Sequence, residues 1–146
     1  MDRHDIFAQT APCGLDCFNC ELFEGNLTEE RRAAFAARFN RPAADVGCRG
    51  CRTEGGCTFL ETPCPTRACV TERELQFCSQ CDDFPCARLM PSRDGADRYP
   101  HNIKLYNLCR IQAVGLQRWA EEEAAQVRER YYHGTFRPGH GPCLGS

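Results

Sequence analysis

The sequence predicts a small, mainly α-helical fold with irregular loops, in which bound metal ions replace part of the hydrophobic core. Of the 146 residues, 13 are cysteines, and eleven of these lie between Cys13 and Cys86. The apolar fraction of 42% includes the cysteines, so few ordinary core side chains remain. Small domains with weak cores usually need cross-links or metals. Helical periodicity near the C-terminus, without alternation of strands and helices, completes the prediction.

The length predicts a single domain over residues 1–146, because a chain of this size usually forms one folded unit. Composition divides this domain into three parts. Residues 13–90 are the cysteine-rich, metal-binding region, residues 101–132 are a helical hairpin, and residues 133–146 are a loose tail rich in Gly and Pro. Residues 1–12 are expected to be a short lead-in to the first cysteine cluster.

A first helix is predicted from Leu27 to Phe39. Asn26 and Glu29 have the spacing of a capping box at its start, and Asn40 is a residue type that commonly ends a helix. The arginines on its outer side are expected to form a solvated face. The side chains expected to face inward are Phe35, Ala36 and Phe39.

Two prolines mark short helices among the loops that follow. Pro65 would begin a helix that carries Cys69, with Cys64 at its N-cap. Pro85 would likewise begin a helix at Cys86, because proline is favoured at the first helical position. Cys64 and Cys86 would then lie near helix N-termini, where the macrodipole favours the thiolate that metals bind. The rest of this segment has no sustained period, which predicts irregular loops.

The hairpin of residues 101–132 is predicted to contain two helices separated by Gly115. Glycine fits a left-handed helix ending, after which Leu116 would contact Ile111. Three glutamates early in the second helix stand at the end that favours acidic residues. The inward side of that helix would carry Leu116, Trp119, Ala120, Val127 and Tyr131.

The cysteines are expected to hold metal rather than to form disulfides. The N-terminal segment lacks the apolar stretch of a secretory signal, and no part of the sequence is long and apolar enough to span a bilayer. We therefore expect a cytoplasmic protein, in which thiols stay reduced. The odd number of cysteines, 13, would also leave one thiol without a disulfide partner.

Cysteine spacing is the strongest indication of metal binding. Two residues separate Cys48 from Cys51, and two residues separate Cys78 from Cys81. Two thiolates at that separation close around one ion with little backbone strain. The predicted metal ligands are Cys13, Cys17, Cys20, Cys48, Cys51, Cys57, Cys64, Cys69, Cys78, Cys81 and Cys86.

Zinc is the expected ion, because it is the usual metal of tetrahedral thiolate sites in loops. Iron–sulfur clusters also take four thiolates and are the alternative, although the gaps match neither bacterial nor plant ferredoxin spacing. Two closed sites would use eight of the eleven clustered thiols, so two or more zinc ions are predicted. The other three could complete a third site, share a bridging position or stay buried and free. Cys109 and Cys143 are expected to be ordinary thiols.

No catalytic residues are predicted. Cys13, Cys17 and Cys20 have the C-x3-C-x2-C spacing of radical S-adenosylmethionine enzymes, but those enzymes need a βα barrel that this chain is too short to form. The histidines are scattered, no serine lies in a nucleophile elbow, and no glycine loop has a phosphate-binding form. The sequence therefore favours a protein without catalytic activity.

The charge favours a protein partner over a nucleic acid. The formal net charge is −2, and each zinc held by four thiolates adds about −2, because its ligands are deprotonated. Two such sites would bring the charge to about −6, which is unsuited to binding phosphates. The expected function is a non-catalytic zinc-binding module for protein interaction. The alternative is an iron–sulfur or thiol redox protein that transfers electrons or senses oxidants.

The order of the cysteine motifs is specific. The motifs are Cys13-Gly-Leu-Asp-Cys17-x-x-Cys20, Cys48-x-Gly-Cys51, Cys64-x-x-Arg67-x-Cys69 and Cys78-x-x-Cys81-x-x-Phe84-Pro85-Cys86. Together they resemble the prokaryotic family called domain of unknown function 3795, and the later segment Ile111-x-x-x-Gly115-Leu116-x-x-Trp119 is similar to its helical part. The resemblance implies a small, cytoplasmic, cysteine-rich, zinc-binding protein with no assigned activity.

Overall fold

A computed structural model describes residues 2–53, 56–59, 63–89, 101–133, 136–137 and 141–142. The α-helices are α1 (Arg3–Ala8), α2 (Glu29–Phe39), α3 (Pro65–Glu72), α4 (His101–Val114), α5 (Leu116–Arg118) and α6 (Ala124–His133), and a π-helical turn, Trp119–Glu123, joins α5 to α6. Single 3-10 turns lie at Cys17–Asn19, Glu24–Asn26, Ala43–Asp45, Cys78–Gln80 and Ala87–Leu89. The short strands β1 (Phe136–Arg137) and β2 (Gly141–Pro142) pair antiparallel. The predicted mainly helical fold with irregular loops is confirmed.

The N-terminal lead-in contains helix α1. The Asp2 carboxylate accepts a hydrogen bond from the Asp5 amide at 2.8 Å, which caps the helix. Ile6 is fully buried, and the Thr10 hydroxyl donates to the Ile6 carbonyl at 2.6 Å. With six residues, α1 is too short for a periodic pattern to stand out in the sequence.

Helix α2 begins at Glu29, two residues later than predicted. Thr28 caps it by accepting from the Arg31 amide at 3.2 Å, so the predicted capping role of Asn26 is wrong. Asn40 ends the helix in a left-handed conformation with φ of 50°, as predicted. Asn26 lies outside the helix because its amide group donates to backbone carbonyls of the first cysteine turn.

The expected inward face of α2 is only partly covered. Phe35 and Ala36 are half-buried, no side chain of the helix is fully buried, and Phe39 is 38% exposed. The Phe39 ring stacks on Phe35, with centroids 5.8 Å apart, and also contacts Phe59 at 5.4 Å. Helix α2 therefore packs against loops at the edge of the molecule rather than in the central core.

The two proline-led helices have different outcomes. Helix α3 begins at Pro65 with Cys64 at its N-cap, as predicted. The helix expected from Cys86 is instead a single 3-10 turn over Ala87–Leu89, in which the Leu89 amide donates to the Cys86 carbonyl at 2.9 Å. The end of the expected helix, Met90, lies outside the described residues.

The C-terminal helices form the predicted hairpin. Gly115 separates α4 from α5 with a φ of 86°, although its ψ of 155° is extended rather than left-handed helical. Arg110 of α4 makes two hydrogen bonds, of 2.6 and 2.8 Å, to Glu123 of the π-helical turn. Trp119 is fully buried, with its ring edge-on to Phe18 at 6.0 Å. No helix within the described residues has the length and apolar character needed to cross a membrane.

One buried cluster connects the cysteine-rich region to the hairpin. Cys13 and Cys78 are themselves members of it, which shows that thiols fill part of the core. The cluster consists of Ala11, Cys13, Val70, Phe77, Cys78, Leu89, Leu108, Ile111, Trp119 and Ala124.

Arg52 ties α1 to the turn that carries Cys78. Its guanidinium lies 4.1 Å from the ring centroid of Phe7 and 4.9 Å from that of Phe77. Its Nε donates to the Thr10 carbonyl at 2.7 Å, and its Nη2 donates to the Gln76 carbonyl at 2.6 Å. This cation stacked on aromatic rings therefore fixes the backbone directly after the second cysteine motif.

Helix α4 packs tightly against the first cysteine motif at Gly14. Gly14 has a φ of 86°, and a Cβ there would lie 2.9 Å from Leu108 Cγ and 3.0 Å from the Lys104 carbonyl oxygen. The Asn107 side chain donates to the Gly14 carbonyl at 2.8 Å. The close approach of backbone to backbone therefore requires glycine at this position.

We expect Gly14→Ala to destabilise the protein by about 2–4 kcal/mol, because backbone strain and overpacking add. Urea denaturation followed by circular dichroism measures the change. Gly25→Ala is the control, since its Cβ would meet only the Phe23 ring at ordinary distances of 3.4–3.5 Å. Equal stability of the Gly14 variant and the unmodified protein would contradict the tight packing of α4.

Candidate metal centres

The eleven clustered cysteines separate into two groups and a remaining pair. The first thiol group consists of Cys17, Cys20, Cys48, Cys51 and Cys57, whose charges act on one another. The second thiol group consists of Cys69, Cys78, Cys81 and Cys86. The remaining pair is Cys13 and Cys64. Cysteine spacing indicated that Cys48 lies with Cys51 and Cys78 with Cys81, and it left the rest of the grouping open.

The first thiol group forms where two cysteine motifs lie side by side. The Cys48 amide donates to the Leu22 carbonyl at 2.9 Å, and the Glu24 amide donates to the Cys48 carbonyl at 2.8 Å. These bonds place the chain after Cys20 alongside the second motif. Asn26 fixes the first motif by donating to the carbonyl of Cys20 at 2.9 Å. Two motifs far apart in the sequence are thus brought together by backbone hydrogen bonds.

Gly50 shapes the turn of the second motif. Its φ is 96°, and a Cβ there would lie 3.9 Å from Cys17 Sγ, so the Cys17 thiol lies against this turn. The Gly50 amide points at Cys48 Sγ, with an N–S distance of 3.4 Å. An amide directed at sulfur stabilises a thiolate, which is the form that binds metal.

Hydrogen bonds between thiols split the pKa values of the first group. A bond between the Cys17 and Cys51 thiols lowers the pKa of Cys17 and raises that of Cys51. A bond with Cys57, together with the Gly50 and Thr58 amides, lowers the pKa of Cys48 to about 6, while the pKa of Cys57 is raised. Each pair therefore places a thiol of lowered pKa beside a thiol of raised pKa, which suits either metal binding or disulfide exchange.

The second thiol group is built from helix α3 and the last two cysteine motifs. The Gln80 side-chain oxygen accepts from the amides of Gln76 and Phe77 at 2.8 and 2.9 Å, which holds the 3-10 turn of Cys78 in place. The Cys78 amide donates to the Pro12 carbonyl at 2.9 Å. The four thiols line a cavity of about 20 Å³.

The surroundings of the second group are mostly apolar, and two arginines, Arg73 and Arg88, are among the lining residues. Burial, followed by the charges of neighbouring thiolates, raises the pKa of Cys78 to about 12. Arg73 Nη1 lies 2.9 Å from Cys81 Sγ and 2.8 Å from Asp83 Oδ2. No sequence signal indicated Arg73, because its partners are eight and ten residues further along an irregular loop.

The remaining pair lies between the two groups. Cys13 is buried in the core, and this burial raises its pKa, against a lowering by Lys104. Cys64 occupies the N-cap position of α3 without a side-chain capping hydrogen bond, and its charge acts on Cys13. The Cys13 charge also acts on Cys51 of the first group and Cys78 of the second. This arrangement leaves the predicted ligand roles of Cys13 and Cys64 as predictions.

A buried ion pair lies beside the first thiol group, because Asp16 directly precedes Cys17. Asp16 is fully buried, and its carboxylate accepts from Arg128 of α6 at 3.0 Å and from the Asn19 side chain at 3.1 Å. Desolvation raises the pKa of Asp16, and Arg128 opposes that rise. Because the two partners are 112 positions apart in the sequence, sequence spacing could not reveal them.

The thiols of either group must move closer together to enclose an ion. In a tetrahedral zinc site with Zn–S bonds of about 2.3 Å, the sulfur atoms lie about 3.8 Å apart. Among the described residues, the group of three or more potential ligands whose atoms all lie within 4.8 Å of one another is Asp2, His4 and Asp5, which are all exposed. The thiol groups therefore have the composition and clustering of metal sites, without closed coordination geometry.

The two cysteines expected to be ordinary thiols lie away from these groups. Cys109 is exposed on α4, and Cys143 lies outside the described residues. The expectation for Cys109 is consistent with this position, which makes it a useful reference thiol in experiments.

Comparison with known proteins places the chain in a family without assigning it an activity. Neither curated proteins nor solved structures include a match to the chain. The family model described as "Protein of unknown function (DUF3795)" matches residues 9–91, which is more than half of the chain and contains all eleven clustered cysteines. The chain therefore belongs to the DUF3795 family of proteins of unknown function.

Proposed function

We propose that the protein is a non-catalytic module that binds zinc through its two thiol groups and presents a surface to a protein partner. The observation that carries this proposal is the segregation of nine thiols into two compact groups, each assembled from separate parts of the chain. Thiolates are the ligands that favour zinc, whereas carboxylates and carbonyls suit harder ions. Bound zinc would supply a cross-link between these segments and folding free energy.

The protein's own residues prepare the two groups for binding. Backbone hydrogen bonds bring the first and second motifs together, and the Gly50 amide stabilises the Cys48 thiolate. Arg73 supplies positive charge beside Cys81. A site closed by four thiolates leaves no open position for a substrate, which supports a structural rather than a catalytic role.

Exposed aromatic side chains support the partner-binding part of the proposal. A cleft between α2 and α6 has a volume of about 680 Å³, with Phe39 and Tyr132 on its walls. Phe39 is 38% exposed and Tyr132 is 45% exposed. Aromatic residues at the surface are enriched in protein interfaces.

Metal analysis of protein purified without oxygen tests the proposal. We expect a colourless protein that contains about two zinc ions per chain, the number that two four-thiolate sites hold, as measured by elemental mass spectrometry with absorption spectroscopy. Chelation should abolish the cooperative thermal transition, because the binding free energy is part of the folding free energy. A folded, metal-free protein with its thiols joined in disulfides would overturn the proposal.

Thiol redox or iron–sulfur chemistry is the second candidate function. The pairs Cys17–Cys51 and Cys48–Cys57 favour its thiol redox form, because a thiol of lowered pKa close to a second thiol forms a disulfide more readily than an ordinary thiol does. A brown anaerobic preparation with cluster absorption bands would indicate iron–sulfur binding. Reversible loss of two free thiols on mild oxidation, without metal in the starting protein, would indicate a redox dithiol.

A further inference from the structure

The second thiol group surrounds a cavity of ionic rather than molecular size. Its volume of about 20 Å³ is far below the roughly 300–1,000 Å³ of pockets that hold organic ligands. Apolar side chains complete much of the wall, and the polar residues that line it besides the cysteines are Thr66, Arg73 and Arg88. The apolar side chains on the wall are Val70, Leu75, Phe84 and Leu89.

Four cysteines on the cavity wall match the coordination number of zinc. Structural zinc sites are almost always tetrahedral and closed, and a set of four cysteine ligands is one of their standard compositions. Cys69 comes from α3, Cys78 and Cys81 flank a 3-10 turn, and Cys86 precedes the turn at Ala87–Leu89. An ion held by them would therefore join three segments of the chain.

Cys64 lies apart from this cavity even though it is close to Cys69 in the sequence. It does not line the cavity, and it occupies the N-cap of α3. Residues five positions apart along a helix differ in direction by about 140°, since each residue turns the helix by about 100°. The Cys64 charge acts on Cys13, which is not among the four cysteines of the cavity.

Arg73 is placed to neutralise part of the charge of a four-thiolate site. Zinc with four thiolates carries a net charge of about −2, which is costly beside an apolar wall. The Arg73 guanidinium, at the C-terminal end of α3, lies 2.9 Å from Cys81 Sγ and is held in that position by Asp83 at 2.8 Å. Hydrogen bonds of this kind to metal ligands fix ligand orientation and strengthen binding.

We propose that Cys69, Cys78, Cys81 and Cys86 together hold one tetrahedral zinc ion. Arg73 is a positioning residue that donates to the Cys81 sulfur, and Cys64 is not a ligand. This assignment rests on the proposed zinc-binding function, and it adds to that function a defined ligand set separate from the first thiol group.

Cobalt substitution of the full-length protein tests the ligand set. Tetrahedral cobalt with four thiolates has intense visible absorption whose strength and position change when a sulfur ligand is replaced. We expect Cys69→Ser to lose about one of the bound ions. The visible absorption of the cobalt ion at this site should be lost with it. The matched variant Cys64→Ser should retain both the metal content and the spectrum. Loss of metal in the Cys64 variant but not in the Cys69 variant would overturn the assignment.

Alkylation of the unmodified protein keeps the test decisive if Cys69→Ser does not fold. The zinc-loaded protein is treated with a thiol reagent with and without a chelator, and mass spectrometry measures the modification rate at each cysteine. We expect the four proposed ligands to be protected together and to be released together by the chelator. The ligand set would be overturned if one of the four proposed ligands reacted freely in the zinc-loaded protein while Cys64 was protected there. In that case Cys64 would also become reactive at the same chelator concentrations as the other protected cysteines.

Replacement of Arg73 tests its positioning role. Arg73→Met should lower the zinc affinity of this site by about tenfold, the lower end of the effect of such supporting residues, because the side chain is 49% exposed. The cobalt spectrum should keep its four-thiolate form, since no ligand is lost. Arg118→Met, which removes the exposed ion pair with Glu122, is the control. Unchanged affinity in the Arg73 variant would refute its role.

The metal content of the unmodified protein and of the Cys69 variant distinguishes failure of the proposed zinc-binding function from failure of this ligand set alone. If the unmodified protein takes up neither zinc nor cobalt, the proposed zinc-binding function fails. If it binds metal but the Cys69 variant keeps every ion, the function stands and only the ligand set fails.

Discussion

Replacement of Cys51 by serine is expected to release metal from the first thiol group and to unfold the cysteine-rich region. Structural zinc contributes about 10–16 kcal/mol of apparent binding free energy in small zinc domains. The whole stability of an ordinary domain is about 5–15 kcal/mol. Because Cys51 lies in contact with Cys17 at the centre of the group, its loss removes a ligand from the place where the two motifs meet.

Metal content and thermal unfolding of the Cys51 variant provide the measurement. Cys109→Ser is the matched control, since Cys109 is an exposed thiol on α4 outside both groups. We expect the control to keep its metal and its melting temperature. Full metal content and unchanged melting in Cys51→Ser would show that Cys51 is not a ligand.

Replacement of Arg128 by methionine is expected to destabilise the protein by about 3–5 kcal/mol, the usual cost of leaving a buried charge without its partner. Asp16 is fully buried, and the Arg128 side chain is 17% exposed. Methionine retains much of the side-chain packing but donates no hydrogen bond. The loss should therefore come from the unpaired Asp16 carboxylate rather than from a cavity.

A double-mutant cycle separates the ion pair from packing. Asp16→Asn in the Arg128→Met background removes the orphaned charge, so the double variant should be more stable than Arg128→Met alone. Denaturant unfolding of the four proteins measures the coupling free energy. Additive effects of the two substitutions would mean that the 3.0 Å contact contributes nothing specific to stability.

Local signals in the sequence predicted the features that depend on local chemistry. Pro65 predicted the start of α3, Asn40 the end of α2, and Gly115 the break between the C-terminal helices. Each of these residues acts through its own backbone conformation, which sequence alone reveals. Helical periodicity likewise predicted the mainly helical fold, and composition predicted its cysteine-rich character.

Features that depend on tertiary contacts were missed or misplaced. Asn26 has the spacing of a capping residue, but its amide serves the carbonyls of Phe18 and Cys20 instead. Phe39 fits an amphipathic face, yet the core lies elsewhere and leaves it exposed. These outcomes depend on which segments meet in space, and spacing along the chain does not contain that information.

The candidate sites show the same division. Spacing was sufficient to identify the eleven clustered cysteines as ligand candidates and to pair Cys48 with Cys51 and Cys78 with Cys81, but it could not assign the others to groups. Cys17 lies against the turn of Gly50, 33 residues further along the chain. Cys69 shares a cavity with Cys86 rather than with the nearer Cys64. The grouping follows from how the loops fold around the core.

The buried cluster extends beyond the part of the chain that defines the family. The family match ends at residue 91, whereas Leu108, Ile111 and Trp119 pack in the same cluster as Cys13 and Phe77. A polypeptide truncated at that boundary would expose the apolar surface that these helices cover, and it would aggregate. In this chain the helices downstream of the family match therefore act as the cover of the cysteine-rich core.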